Sequence, residues 1–167
     1  NVFKNALVIL ITYRLSGYLD IDSEILITLA AGIFILPFFL FSAMAGQLAD
    51  KFEKSRLIRL TKMAEIVLMS LVGIGFYLHS IFILMSVLFL IGTQSAFFGP
   101  MKYSILPELL VKGELIAGNA LIEAGTFLAI LLGTLVGGIL AFFQVGPLLV
   151  SILVVIVAVL GFMTSLK

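Results

Sequence analysis

Cysteine is absent from this chain, histidine occurs once, and Asp, Glu, Lys and Arg together make up only 11% of it. With no cysteine there is no disulfide and no thiolate metal site, and redox logic says nothing of the compartment. His79 alone cannot anchor a His-based metal site. Nor can it readily meet a serine and an acid inside a membrane from an outer turn. Leu84 stands five places after His79, where a His-x4-Asp acyltransferase motif needs an acid. No Gly-rich loop ends in Lys-Ser or Lys-Thr after a strand, so there is no phosphate cradle. No cofactor is expected, and the chain reads as something other than an enzyme. A net charge of +1 gives no footprint for nucleic acid. No cleavable signal is visible, and the chain opens at Asn1 inside an apolar run. A fragment with a truncated first helix is expected.

What fills the chain is apolar. Hydrophobic residues are 62% of it, and the mean hydropathy is +1.30. A soluble domain carries about a quarter charged residues, and a chain of this size cannot hide so much apolar side chain from water. Lipid is the economical solvent. Six hydrophobic segments follow one another: about Phe3–Leu19, Ile25–Leu48, Leu57–Leu78, Ile81–Phe98, Leu115–Phe142 and Pro147–Leu166. A spanning helix needs about 20 apolar residues. Five segments fit, and the first is at the short end. Backbone in lipid must satisfy its own hydrogen bonds, so helices are expected despite many β-branched residues. The runs are continuous rather than alternating, which disfavours a barrel. The fold class is therefore an all-α integral membrane protein with six transmembrane helices.

Charge in the links sets the expected orientation. Asp20, Asp22 and Glu24 follow the first segment without any Lys or Arg; the next link carries Lys51, Lys54, Arg56, Arg59 and Lys62. His79-Ser80 again lacks Lys and Arg, the fourth link carries Lys102 and Lys112, the turn Phe143–Gly146 is uncharged, and Lys167 closes the chain. Basic links stay in the cytoplasm. Both basic links and the end of the sixth segment are expected there.

Polar residues inside the segments mark candidate sites. Asn1, Lys4, Asn5, Thr12 and Ser16 fall within about 120° at a helical step of about 100° per residue. Lys4 lies about 22 Å from the outer end at about 1.5 Å per residue, deep enough to need a partner or water. Arg14 reads as an interfacial anchor that snorkels. On segment five, Asn119, Glu123, Thr126, Gly133 and Gly137 share a face within about 80°. Glu123 is either an acid that holds helices together or a group that handles substrate or protons. Glu65, one turn from Lys62, is explained by a local ion pair. Gly125, Ala129, Gly133, Gly137 and Gly138 let backbones approach closely, within the chain rather than across a dimer seam. Pro37 is expected to kink segment two, and segment six reads as a peripheral helix facing lipid.

Gly46-Gln47-Leu48-Ala49-Asp50-Lys51, between the second and third segments, resembles the loop signature of the major facilitator superfamily. In that family Gly-x-Leu-Ala-Asp-Arg-x-Gly-Arg-Arg ends helix two. Lys51, Glu53 and Ser55 depart from it. Gly133-Thr134-Leu135-Val136-Gly137-Gly138 is similar to the family's Gly-Pro-x-x-Gly-Gly pattern on helix five, with Thr134 for Pro. The resemblance implies one half of a facilitator fold, built as two three-helix inverted repeats, with the transport site between two such halves. Residues 1–167 would be the N-terminal half, and the C-terminal six-helix half its partner. The signature-loop residues carried over are Gly46, Asp50, Lys51 and Arg56, with Asp50 expected to find its main partner in the other half.

A narrower resemblance covers nearly the whole chain. Phe98-Gly99-Pro100-Met101-Lys102-Tyr103-Ser104-Ile105-Leu106-Pro107-Glu108-Leu109 and Gly118-Asn119-Ala120-Leu121-Ile122-Glu123-Ala124 resemble the helix-four linker and helix five of bacterial lysophospholipid transporters. Asn1 resembles the Asn of an Asp-Asn pair in their helix one. The likeness extends to members fused to a phospholipid acyltransferase and an acyl-carrier-protein ligase (acyl-ACP synthetase). It implies a secondary transporter that moves lysophosphatidylethanolamine-like lipid across the bacterial inner membrane for reacylation. Asn1, Lys4, Asn5, Lys102, Asn119 and Glu123 are then the expected substrate-binding residues. A headgroup needs a cation for its phosphate and an acid for any ammonium. Lys102 suits the first and Glu123 the second, although Lys102 equally fits a topology marker. A proton-coupled exporter of amphipathic compounds and a non-transporting half-module are the alternatives.

Overall fold

The computed structural model describes residues 1–12, 22–143 and 145–166. Arg14, Ser16, Asp20, Gln144 and Lys167, which carried part of the sequence reading, lie outside the described residues. The helices are α1 (Val2–Leu10), α2 (Ser23–Lys51), α3 (Lys54–Tyr77), α4 (Ile81–Ser104), a single turn α5 (Leu106–Leu109), α6 (Leu115–Phe142) and α7 (Gly146–Ser165). A short 3-10 turn, Lys112–Glu114, leads into α6. Among the described residues, four helical stretches are long and apolar enough to cross a membrane: Ser23–Lys51, Ile81–Leu109, Lys112–Phe142 and Gly146–Ser165. The described part of α1 is nine residues long, and α3, at 24 residues, carries Lys54, Arg56, Arg59, Lys62 and Glu65 in its first half.

The helix ends follow from local chemistry. Glu24 in the first turn of α2 and Lys51 in its last complement the helix dipole. The Ser80 hydroxyl accepts from the Ile83 N–H and caps α4. Pro147 sits in the first turn of α7, where its missing N–H leaves nothing unpaired. At the end of α3, His79 N–H donates to the Phe76 carbonyl and Ser80 N–H to the Gly75 carbonyl. That is the paired closure of a Schellman turn, and it puts His79 at φ 51°, in the left-handed region. α4 is longer than the sequence suggested. The apolar run stops at Phe98, but the helix continues through Gly99-Pro100 to Ser104, as helix breakers are tolerated when neighbouring helices re-satisfy the backbone. α2 likewise runs unbroken through Pro37.

The packing has an internal symmetry. α1 lies against α6, α2 against α4, α3 against α7; α3 also meets α4, and α1 meets α7. Exchange α1 with α4, α2 with α6 and α3 with α7. The α1–α6 pair then becomes α4–α2, α3–α7 maps onto itself, and α3–α4 becomes α7–α1. These pairings fit two three-helix repeats related by an exchange of this kind, as inverted repeats are. The mates differ in extent, α1–α7 being much slighter than α3–α4, and among the described residues the lesser α6–α7 contact has no counterpart of comparable size. The fold is thus an all-α, multi-helix membrane-spanning one, of the kind that the facilitator resemblance implies.

The core lies where α1, α3, α4 and α7 converge, at Leu7, Ile11, Val72, Leu84, Leu88 and Val150. Two glycines permit close approaches between helices remote in sequence. A Cβ on Gly92 of α4 would lie 2.5 Å from the Phe34 carbonyl oxygen of α2. One on Gly137 of α6 would lie 2.5 Å from the Val2 carbonyl oxygen of α1. The small-residue stripe of α6 is therefore used within the chain at Gly133 and Gly137, whereas Gly125 faces open space. On α7, Val150, Val154 and Ala158 are buried and Ile152, Ile156 and Leu160 are exposed. One face packs; the other meets lipid.

Candidate functional site

The basic links and the end of α7 share one end of the bundle. Lys54, at the start of α3, forms an ion pair with Glu108 of α5, and Arg59 Nε donates to the Ser165 carbonyl at 3.2 Å. Just inside that end, α4 and α6 are joined by two polar contacts. Lys102 Nζ donates to Thr126 Oγ1 at 3.1 Å. The Tyr103 hydroxyl donates to Glu123 Oε1. The Lys102 ammonium also lies 4.7 Å from the centroid of the Tyr103 ring. Lys102, near the end of α4, and Glu123, about two turns into α6 by sequence count, are thereby both held where these two helices meet. All four side chains are part-buried and none is fully enclosed.

The extension of α4 past Pro100 is what makes this possible. Ending the helix at Phe98 would leave Tyr103 in a loop; keeping it helical to Ser104 sets 102 and 103 against α6. On α6, Glu123 and Thr126 are three residues apart and so lie on one face. Tyr103 and Thr126 are the partners that the sequence reading left without a role.

A second polar group lies where α1, α3 and α4 meet. Asn1 and Lys4 line a cavity of about 180 Å³ with Glu65, Ser95 and Phe34. Lys4 Nζ sits 5.1 Å from the Phe34 ring centroid, a cation–π contact, and the cavity has room for a few waters. The depth of Lys4 had called for a partner or water; it has the ring. Glu65 accepts from Lys62 Nζ at 2.8 Å, as the local pairing predicts. Its position in the same cavity wall as Lys4 was hidden by that sufficiency. Lys62 also lies 4.8 Å from the Phe98 ring centroid. Asn5 is turned elsewhere: its Nδ2 donates to the Asn1 carbonyl at 3.0 Å and to Thr134 Oγ1 at 3.2 Å. It therefore ties α1 to α6 at the position where Thr134 replaces the family proline.

Among the described residues, no hydrogen bond or ion pair joins the cavity group to Lys102 and Glu123. Asn119 is hydrogen-bonded to neither group among the described residues. It is exposed, and its Nδ2 donates to the Leu115 carbonyl of its own helix at 3.0 Å. Of the signature-loop residues, Asp50, Lys51 and Arg56 are exposed and Gly46 is half-buried. Arg56 pairs locally with Glu53, one of the residues that departs from the family pattern. Lys51 lies 6.0 Å from the Phe52 ring. Asp50 has no ion pair or hydrogen bond among the described residues, and a Cβ on Gly46 would meet nothing within 4 Å.

Comparison with known proteins agrees with this architecture. The chain is 34% identical over 119 residues to the lysophospholipid transporter LplT of Citrobacter koseri, covering 71% of this chain and 28% of that protein. It is 34% identical over 125 residues to the LplT of Salmonella arizonae, with the same shares. With the LplT of an Enterobacter species it shares 35% over 109 residues, 65% of this chain and 26% of the other. The chain thus spans little more than a quarter of the length of these relatives. No solved structure matches. The sequence profile described as Major Facilitator Superfamily matches residues 3–166. A family of transporters accords with the expectation of a non-enzyme. With paired three-helix repeats and a profile match along nearly its whole length, this multi-pass membrane chain belongs to the Major Facilitator Superfamily.

Proposed function

We propose that residues 1–167 are the N-terminal half of a secondary transporter that moves lysophospholipid across a bacterial inner membrane by alternating access. The observation that carries this reading is the pair of hydrogen bonds between α4 and α6, Lys102 to Thr126 and Tyr103 to Glu123, which sets a cation and an acid near one end of the bundle. A phosphate takes a cation and an ammonium takes a carboxylate as its strong, charge-assisted partner. The two side chains supply both within reach of one headgroup. The relatives named for lysophospholipid give the same direction. The acyl chain has a counterpart as well. An open groove of about 650 Å³ runs between α2, α3 and α4, walled by Leu48, Leu60, Val67, Leu90 and Phe97. Met101, which also lines it, is the neighbour of Lys102.

In this reading the two basic links face the cytoplasm, and Asp50 meets the C-terminal half. Asn1 and Lys4 extend the polar path toward the bundle centre. Reacylation falls to an acyltransferase and acyl-ACP synthetase, fused or separate. Uptake of labelled lysolipid by spheroplasts of a strain lacking the protein tests it. Restored uptake that falls in Lys102→Ala and Glu123→Ala is the expected result. Full activity in both variants removes the site assignment. Drug export without lysolipid uptake favours the exporter of amphipathic compounds instead.

A further inference from the structure

Lys102 and Glu123 carry opposite charges on adjoining turns of α4 and α6, yet each is bonded to a neutral hydroxyl and not to a counter-ion. Elsewhere the chain pairs such charges directly, at Lys54–Glu108, Arg56–Glu53 and Lys62–Glu65. The two hydroxyls play opposite parts. Thr126 gives its own hydrogen to the Ile122 carbonyl at 2.7 Å, so toward Lys102 it is purely an acceptor. Tyr103 gives its hydrogen to Glu123. The cation thus holds a neutral oxygen acceptor, and the acid holds a neutral donor. These are the uncharged counterparts of a phosphate oxygen and an ammonium.

We propose that Thr126 and Tyr103 are displaceable placeholders, and that Tyr103, by competing with a ligand's ammonium for Glu123, limits the preference of this site for zwitterionic over anionic headgroups. The inference rests on the lysolipid reading and deepens it. A charged partner forms a hydrogen bond roughly twice as strong as a neutral one. Exchange is therefore favourable at both positions only for a ligand that brings a phosphate and an ammonium together. An anionic headgroup replaces Thr126 on Lys102 but leaves Tyr103 on Glu123, and it faces that carboxylate's charge without compensation. The Lys102 ammonium over the Tyr103 ring links the two exchanges, because a Tyr103 side chain that swings away also leaves Lys102.

The test is binding of lysophosphatidylethanolamine and lysophosphatidylglycerol to the full-length protein in maltoside micelles, with melting followed in the same micelles. Tyr103→Phe is expected to tighten the ethanolamine lipid about fivefold, the equilibrium worth of one typical hydrogen bond, and to leave the glycerol lipid unchanged. Weaker ethanolamine binding, or an equal shift for both lipids, overturns the proposal and makes Tyr103 a fixed strut for Glu123. If Tyr103→Phe does not fold, Thr126→Val carries the test. It is expected to tighten both lipids by a similar factor, and no change overturns the placeholder role. Wild-type protein that binds neither lipid removes the lysolipid reading and this inference together; wild-type binding without the headgroup-selective shift removes this inference alone.

Discussion

The Tyr103 hydroxyl donates to Glu123 Oε1 across the α4–α6 seam, and this contact is where the charge of Glu123 is held in the free protein. Glu123→Gln keeps an acceptor for Tyr103 while removing the charge. We expect a melting temperature close to that of the parent and an uptake rate for an ethanolamine lysolipid reduced at least about tenfold, since hydrogen bonds to charged groups are worth about 1.5–3 kcal/mol. Glu123→Ala should lose both the acceptor and the transport. Parallel thermal melts and uptake assays separate the two effects. Equal uptake by parent and Glu123→Gln would show that the charge is not used.

Gly92 is a packing glycine in the most extensive seam of the bundle. A Cβ there would lie 2.5 Å from the Phe34 carbonyl oxygen and 3.1 Å from Pro37 Cγ. Backbone cannot move aside as a flexible side chain can, so Gly92→Ala is expected to destabilise by about 1–3 kcal/mol. Gly125→Ala is the control, because nothing stands within 4 Å of that position. Thermal melts in one detergent should shift down for the first and not for the second.

The contrast between these two glycines shows what the sequence could and could not tell. Continuous apolar runs give helices almost without ambiguity in lipid, because nothing else satisfies the backbone, and the ends of α6 match the apolar run to the residue. The links gave both basic ends, and the Lys54–Glu108 pair and the Arg59–Ser165 contact bring those ends together. Which glycine of a repeating stripe is used depends on the neighbour that crosses it, and spacing alone carries no such information. Lys102 and Glu123 were legible as unusual charges. Tyr103 and Thr126 were not, since their role appears only once α4 is known to continue through Pro100. Glu65 was masked in another way: its pairing with Lys62 accounts for its charge, so the sequence alone carries no sign of the cavity it also faces.

His79 occupies the left-handed position that ends α3 at a Schellman turn. A side chain there crowds its own carbonyl, at about 1–2 kcal/mol for a non-glycine residue, while glycine is free of this strain. The His79 side chain is exposed, so little contact is lost by its removal. His79→Gly should therefore raise stability by up to about 1 kcal/mol, seen as a higher melting temperature with uptake unchanged. His79→Val, β-branched at a positive φ, should lower it.

Lys54 and Glu108 tie the second link to the fourth, so the two must face the same side of the membrane. As a stabilising contact the pair counts for little: Glu108 is 57% exposed, and such pairs are worth about 0–1 kcal/mol. As a topological marker it is informative. A cysteine placed at Glu53 or Lys112, in a background cleared of other cysteines, should resist an impermeant maleimide in intact spheroplasts and react after permeabilisation. A cysteine at His79 should react without it, because that turn lies at the opposite end of α3 and α4. Labelling of Glu53→Cys and Lys112→Cys from outside, with His79→Cys protected, would invert the orientation that the positive residues imply. Labelling of only one of the two basic links would contradict the Lys54–Glu108 contact itself.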